Sequence, residues 1–128
     1  TNVILDITTE DPHWYEWSSD TLARVASRQR LVINPLIYAE VSVGFERIEE
    51  LDAALPEEFF DREPLPWSAG FLAGKAYLKY RRSSGSRTSP LPDFYIGAHA
   101  AIRDYELLTR DASRYDTYFP TVDVIAPD

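Results

Sequence analysis

The sequence predicts an α/β domain with a parallel sheet covered by helices. Three observations predict it. Helical periods alternate with short apolar runs along the whole chain. Two Asx-Pro pairs, Asp11-Pro12 and Asn34-Pro35, mark helix starts. Three acidic residues, Glu40, Asp93 and Asp111, each follow an apolar stretch that reads as a strand or a helix start. That is how an α/β fold gathers distant carboxylates.

Taken in order, Asp11 caps a helix that Pro12 opens, with Trp14, Trp17, Leu22 and Val25 roughly on one face. Leu31-Val32-Ile33 is a short β-branched run and reads as a buried strand. Asn34-Pro35 then opens a second helix to about Val43, which carries Glu40. Ile48, Leu51 and Leu55 mark a third helix that ends near Pro56. Phe59-Phe60 begins a brief strand before Pro64 and Pro66. Trp67, Phe71, Gly74 and Leu78 mark a fourth helix, on which Gly70 and Gly74 would allow close helix contact. Arg81 to Pro90 is polar, small and basic, and reads as a loop. Pro92 starts a fifth helix with Asp93 in its first turn. Leu107-Leu108-Thr109 and the segment from Val122 to Ile125 read as strands, and a short turn is expected at Ala112 to Arg114.

With 128 residues, the chain is expected to form a single domain. No apolar run is long enough for a transmembrane helix, and no secretory signal is visible. The chain has no cysteine, so disulfides and thiolate metal sites are excluded. This fits a reducing cytoplasm. The net charge of -8 argues against nucleic-acid binding by bulk electrostatics alone. It does not argue against a nuclease, because bound divalent cations reverse the local field. The chain opens Thr1-Asn2 and contains no methionine, which reads as a chain missing its first residues.

The acids carry the chemistry. Asp111 lies just past its strand, where ligands of open α/β sheets sit. Asp93 lies at a helix N-terminus, which favours an anion. Glu40 lies two turns into the helix after strand 31–33, and its longer stem can reach back. Three converging carboxylates repel one another unless a cation neutralises them. Oxygen ligands select Mg²⁺, Mn²⁺ or Ca²⁺ over zinc, and such sites commonly serve phosphate chemistry. The bland readings are that Asp93 stabilises a helix start and that Asp111 caps a turn. Glu40 is harder to explain structurally, because Glu is rarely buried unpaired. His13 and His99 read as structural.

The pattern resembles the PIN-domain family, and within it the VapC-type toxins of toxin–antitoxin pairs. Thr1-Asn2-Val3-Ile4-Leu5-Asp6 looks like the family's Asp-Thr-Asn-Val-Leu start without its Asp. Ala39-Glu40 matches the second acid, Ser89 to Ala100 with Asp93 the third, and Thr109-Arg110-Asp111 the fourth. The likeness runs over essentially the whole chain.

The resemblance implies a three-layer α/β/α domain whose first strand is absent here. It implies a Mg²⁺- or Mn²⁺-dependent endoribonuclease, inhibited by a VapB-type antitoxin and usually a homodimer. Glu40, Asp93 and Asp111 would be the catalytic metal ligands, supported by Thr1, Asn2 and Thr109. Asp6 lies about two helical turns beyond the family's first acid and does not replace it. Gly97 stands where some nuclease relatives carry another acid.

Arg81, Arg82, Arg87 and Arg110 are candidates for RNA contact. Tyr38, Tyr95 and Trp67 could stack on unpaired bases. The helix with Trp14 and Trp17, and the 48–55 helix, are candidate antitoxin grooves. The alternative from another class is a non-catalytic PIN-like module that binds RNA or an antitoxin.

Overall fold

A computed structural model describes residues 1–84 and 91–127. It falls into two compact units, Thr1–Pro64 and Leu65–Asp128.

In the first unit the order is α1 (Asn2–Thr8), α2 (Tyr15–Ala26), β1 (Leu31–Ile33), α3 (Pro35–Ser42), α4 (Ile48–Ala54) and β2 (Phe60–Arg62). Strands β1 and β2 pair in parallel, with Val32 opposite Asp61. The expected cap at Asn34 is present. Its side chain accepts the Ile37 backbone N–H at 3.0 Å, and Pro35 takes the first helical position. Such a cap contributes about 1 kcal/mol. It fixes the turn from β1 into α3 and so places Glu40.

The helix expected from Pro12 begins three residues later, at Tyr15. Asp11 does not cap it, since Trp14 holds the N-cap position, but the Asp11 Oδ1 accepts the backbone N–H groups of His13 and Trp14, each at 2.9 Å. These bonds close a turn that feeds the helix. On α2 the buried residues are Ser18, Thr21 and Val25, so Trp14 and Trp17 are only half-buried. Asp6 on α1 is buried and accepts the Ser18 hydroxyl at 2.7 Å, tying α1 to α2.

The second unit contains α5 (Trp67–Ser84), α6 (Leu91–Arg103), β3 (Leu107–Leu108), α7 (Ala112–Tyr118) and β4 (Val124–Ile125). Strands β3 and β4 are again parallel. Helical layers and parallel strand pairs place the chain in the expected α/β class.

Three expectations need correction here. First, α5 buries a different face. Ala69, Ala73 and Ala76 enter the core, whereas Trp67 is 94% and Phe71 72% exposed. Alanines recurring every three or four residues share this inner face with Leu72, Tyr77 and Tyr80, which pack against the same core. Gly70 does meet α6, where an added Cβ would lie 3.1 Å from the Tyr95 hydroxyl. An added Cβ at Gly74 would meet nothing within 4 Å, so Gly74 makes no close helix contact. Second, the segment read as loop from Arg81 is helical to Ser84. Lys79, Arg81 and Arg82 are good helix formers and sit near the helix C-terminus, where cations are favoured. Third, the expected turn after Asp111 is a full helix, α7.

The core of this unit is aromatic. Phe94 is fully buried and packs on Tyr77, Tyr80, Tyr118 and Phe119, with ring centroids 5.3–6.3 Å apart. Edge and tilted geometries suit the ring quadrupoles. Gly97 lies beneath Phe119 and Tyr115. An added Cβ would stand 2.7 Å from Phe119 carbons and 3.0 Å from Tyr115 Cδ1. Glycine thus sets how closely α6 and α7 approach.

Candidate functional site

Glu40 belongs to the first unit. Strand β1, the Asn34 cap and Pro35 deliver the start of α3, and Glu40 follows half-buried on that helix. Thr1, at the N-cap position of α1, donates its hydroxyl to Glu40 Oε1 at 2.5 Å. The structure therefore brings Thr1 to Glu40. Asn2 opens α1 beside it.

Asp93 and Asp111 belong to the second unit, and one residue joins them. Arg114, on α7, donates from Nη1 to Asp93 Oδ2 at 2.6 Å. Its Nη2 lies 3.8 Å from Asp111 Oδ2. The side chains of Arg114 and Asp93 are only 22% and 25% exposed, against 48% for Asp111. Asp93 stands in the first turn of α6. Asp111 occupies the N-cap position of α7, yet its side chain makes no cap hydrogen bond. Its Oδ1 instead accepts the Ser113 hydroxyl at 3.1 Å.

Thr109 sets the turn that aims Asp111. It is buried, its N–H bonds to the Ile125 carbonyl, and its Oγ1 accepts the Asp111 backbone N–H at 3.1 Å.

Sequence reasoning missed Arg114. Its signal was the spacing Asp111 to Arg114, one helical turn, but this reads as an ion pair only if the segment is a helix. Among the described residues, no three His, Cys, Asp or Glu side chains form a group that could hold a metal ion. In the second unit the arginine takes up carboxylate oxygen of Asp93. Asp93 and Asp111 offer oxygen alone, the donor type that hard cations take.

The remaining candidates divide. Arg81 and Arg82 are exposed on the last turn of α5, with the Arg81 guanidinium 6.0 Å from the Tyr77 ring centroid. Lys75, Lys79 and Arg82, with Leu78 and Ser83, line a shallow basic surface along the same helix. Arg87 lies outside the described residues. Arg110 is half-buried between Thr109 and Asp111. Tyr38 is engaged elsewhere. Its hydroxyl donates to Asp52 at 2.8 Å, and the Arg62 guanidinium lies 5.0 Å from its ring centroid. The bond to Asp52 raises the Tyr38 pKa above its ordinary value. His13 is exposed and edge-on to Trp14, whereas His99 is buried near Tyr105.

The PIN domain family model matches residues 1–120. The chain belongs to the PIN domain family. One solved structure with the same fold is the Rickettsia felis VapBC2 complex bound to a DNA fragment from their promoter. It is 17% identical, the match covers 99% of this chain and 95% of that one, and the TM-score is 0.71. None of the curated proteins is similar enough in sequence to mark a relative. In this PIN domain the Gly97 position has no room for a further acid, because the Phe119 ring fills the space a side chain would enter. Among the described residues, no helix is long and apolar enough to cross a membrane.

Proposed function

We propose that this PIN domain is a metal-dependent endoribonuclease of the VapC type. The observation that carries the reading is the pairing of Asp93 and Asp111 at one guanidinium, with the Asp111 side chain making no cap hydrogen bond to α7. Two carboxylates held close together are the kind of pair that a divalent cation would bridge. Family membership and the all-oxygen donor set support the same conclusion.

Glu40, Asp93 and Asp111 would hold Mg²⁺ or Mn²⁺, with an Asp directly before Thr1, as in the family pattern, as a further ligand. Bound there, the ion would acidify a water molecule and offset charge on the phosphodiester. Thr1 orients Glu40, and Thr109 fixes the turn that aims Asp111. The attacking water oxygen joins phosphorus as the bond to the 3′ oxygen breaks. The products are a 5′-phosphate and a 3′-hydroxyl, one water proton ending on the 3′ oxygen. Arg81, Arg82, Arg87 and Arg110 would steer the RNA backbone. A VapB-type antitoxin would be the inhibitor, by analogy with the complex of the same fold. The working form would be a cytoplasmic homodimer.

The test incubates the chain, extended by a strand and an Asp before Thr1, with end-labelled single-stranded RNA in Mg²⁺ or EDTA, beside Asp93→Asn. Cleavage that needs metal and Asp93 is expected. No cleavage, or cleavage indifferent to EDTA and to Asp93, would overturn the reading. It would then favour a PIN-like module that binds RNA or an antitoxin without cutting.

A further inference from the structure

We infer that Arg114 is a built-in counter-ion of the acidic site: it holds Asp93 and Asp111 in the metal-free protein and releases Asp93 when a cation binds. The inference rests on the metal-site reading above and goes beyond it. It assigns a positioning residue, not a catalytic one.

The geometry is specific. The two terminal nitrogens of one guanidinium face two different carboxylates, at 2.6 Å and 3.8 Å. The planar fork of arginine suits this bridging, which a lysine point charge cannot reproduce.

Desolvation makes the counter-ion necessary. The Asp93 side chain is three-quarters covered and Arg114 slightly more so. An unpartnered carboxylate in that setting is costly, and one further acid stands close by. Arg114 relieves both problems before any metal arrives.

The same contact must compete with a cation. Oδ2 of Asp93 cannot hold the guanidinium at 2.6 Å and a bare divalent ion on the same side. The apparent metal affinity therefore falls by the fraction of molecules in which Arg114 is engaged. The exchange needs no backbone movement. α7 is anchored by buried Tyr115 and by Phe119 just beyond its end, packed against Gly97. Only the long, rotatable Arg114 side chain has to swing.

The test measures Mn²⁺ binding to the chain extended by a strand and an Asp before Thr1, by titration calorimetry and by loss of the free-ion EPR signal. Wild type is set beside Arg114→Gln, Arg114→Lys and Asp93→Asn, with thermal melts of each. Arg114→Gln is expected to bind Mn²⁺ about fivefold more tightly or better. It should melt lower than wild type without metal and gain more on metal addition. Arg114→Lys keeps the charge but loses the fork, and it too should bind more tightly than wild type. That separates a direct contact from general repulsion. Should Arg114→Gln fail to melt cooperatively, Arg114→Lys decides by the same criterion. Unchanged or weaker Mn²⁺ binding in a folded Arg114 variant overturns the inference. If that happens while Asp93→Asn abolishes binding, the metal site stands and only the counter-ion role falls. If wild type binds no Mn²⁺, both fall together.

Discussion

Each unit carries an arginine set against acids, and the two arrangements differ in how the arginine is shared and how deeply it is covered. In the first unit Asp52 receives two donors on the same oxygen, the Tyr38 hydroxyl at 2.8 Å and Arg62 at 3.0 Å. The bond to Asp52, and with it the charge of Glu57, raises the Arg62 pKa. The Tyr38 bond and then Arg62 hold the Asp52 carboxyl below its ordinary pKa. In the second unit one arginine serves two acids, Asp93 and Asp111. The first pair is the more open, with the Arg62 and Asp52 side chains 36% and 45% exposed against 22% and 25% for Arg114 and Asp93. In the first, the arginine shares one carboxylate oxygen with a hydroxyl, whereas in the second it reaches two carboxylates. An arginine among acids is therefore read from how it is shared and how deeply it is covered.

The largest expected effect separates the two clusters by function. Asp93→Asn should lower metal-dependent RNA cleavage by on the order of 100-fold or more, whereas Asp52→Asn should leave the rate close to wild type. Equal losses in both variants, measured as initial rates at saturating Mg²⁺, would erase the distinction.

Next comes the packing that supports the second cluster. Gly97→Ala should destabilise by about 1–3 kcal/mol, because α7 must move away from α6. Denaturant melts would show this, and the displaced Arg114 should make Mn²⁺ binding change as well. Gly74→Ala, on the open face of α5, should instead stabilise by up to about 1 kcal/mol. If both alanines behaved alike, the close approach at Gly97 would be wrong.

The smallest effect sharpens the first cluster. Asp52 has a folded pKa below its unfolded value, so its contribution is present above the ordinary carboxylate range and lost as pH falls through the folded pKa. Wild type should lose a little more stability than Asp52→Asn over that acid window, read as melting temperature against pH. Arg62→Gln should shrink the difference, and Tyr38→Phe should shrink it more, since the hydroxyl bond is the larger cause.

Much of this was legible where chemistry is local. Asn34-Pro35 specifies a cap and a first helical turn by itself, so α3 and the place of Glu40 follow from neighbouring residues alone. Strand β1 and the position of Asp93 in the first turn of α6 are of the same kind. The phase of α5 was not legible, because its period fits two faces. Large apolar residues normally mark the inner one, but here they stand on both, Trp67 and Phe71 outside and Leu72, Tyr77 and Tyr80 against the core with the alanines. α7 was missed because Ala112-Ser113-Arg114-Tyr115 carries no strong helix signal. Without α7, Arg114 had no reason to meet Asp111, still less Asp93 twenty-one residues earlier.

The clash beneath Phe119 also reaches into the family's history. Positions 97 and 119 share one volume, so a change at one is felt at the other. A PIN domain of this kind that gains a side chain at the Gly97 position should carry a smaller residue than phenylalanine at the 119 position, or hold α7 further from α6. A lineage could reach an additional acid there by giving up the ring or by letting the two helices part.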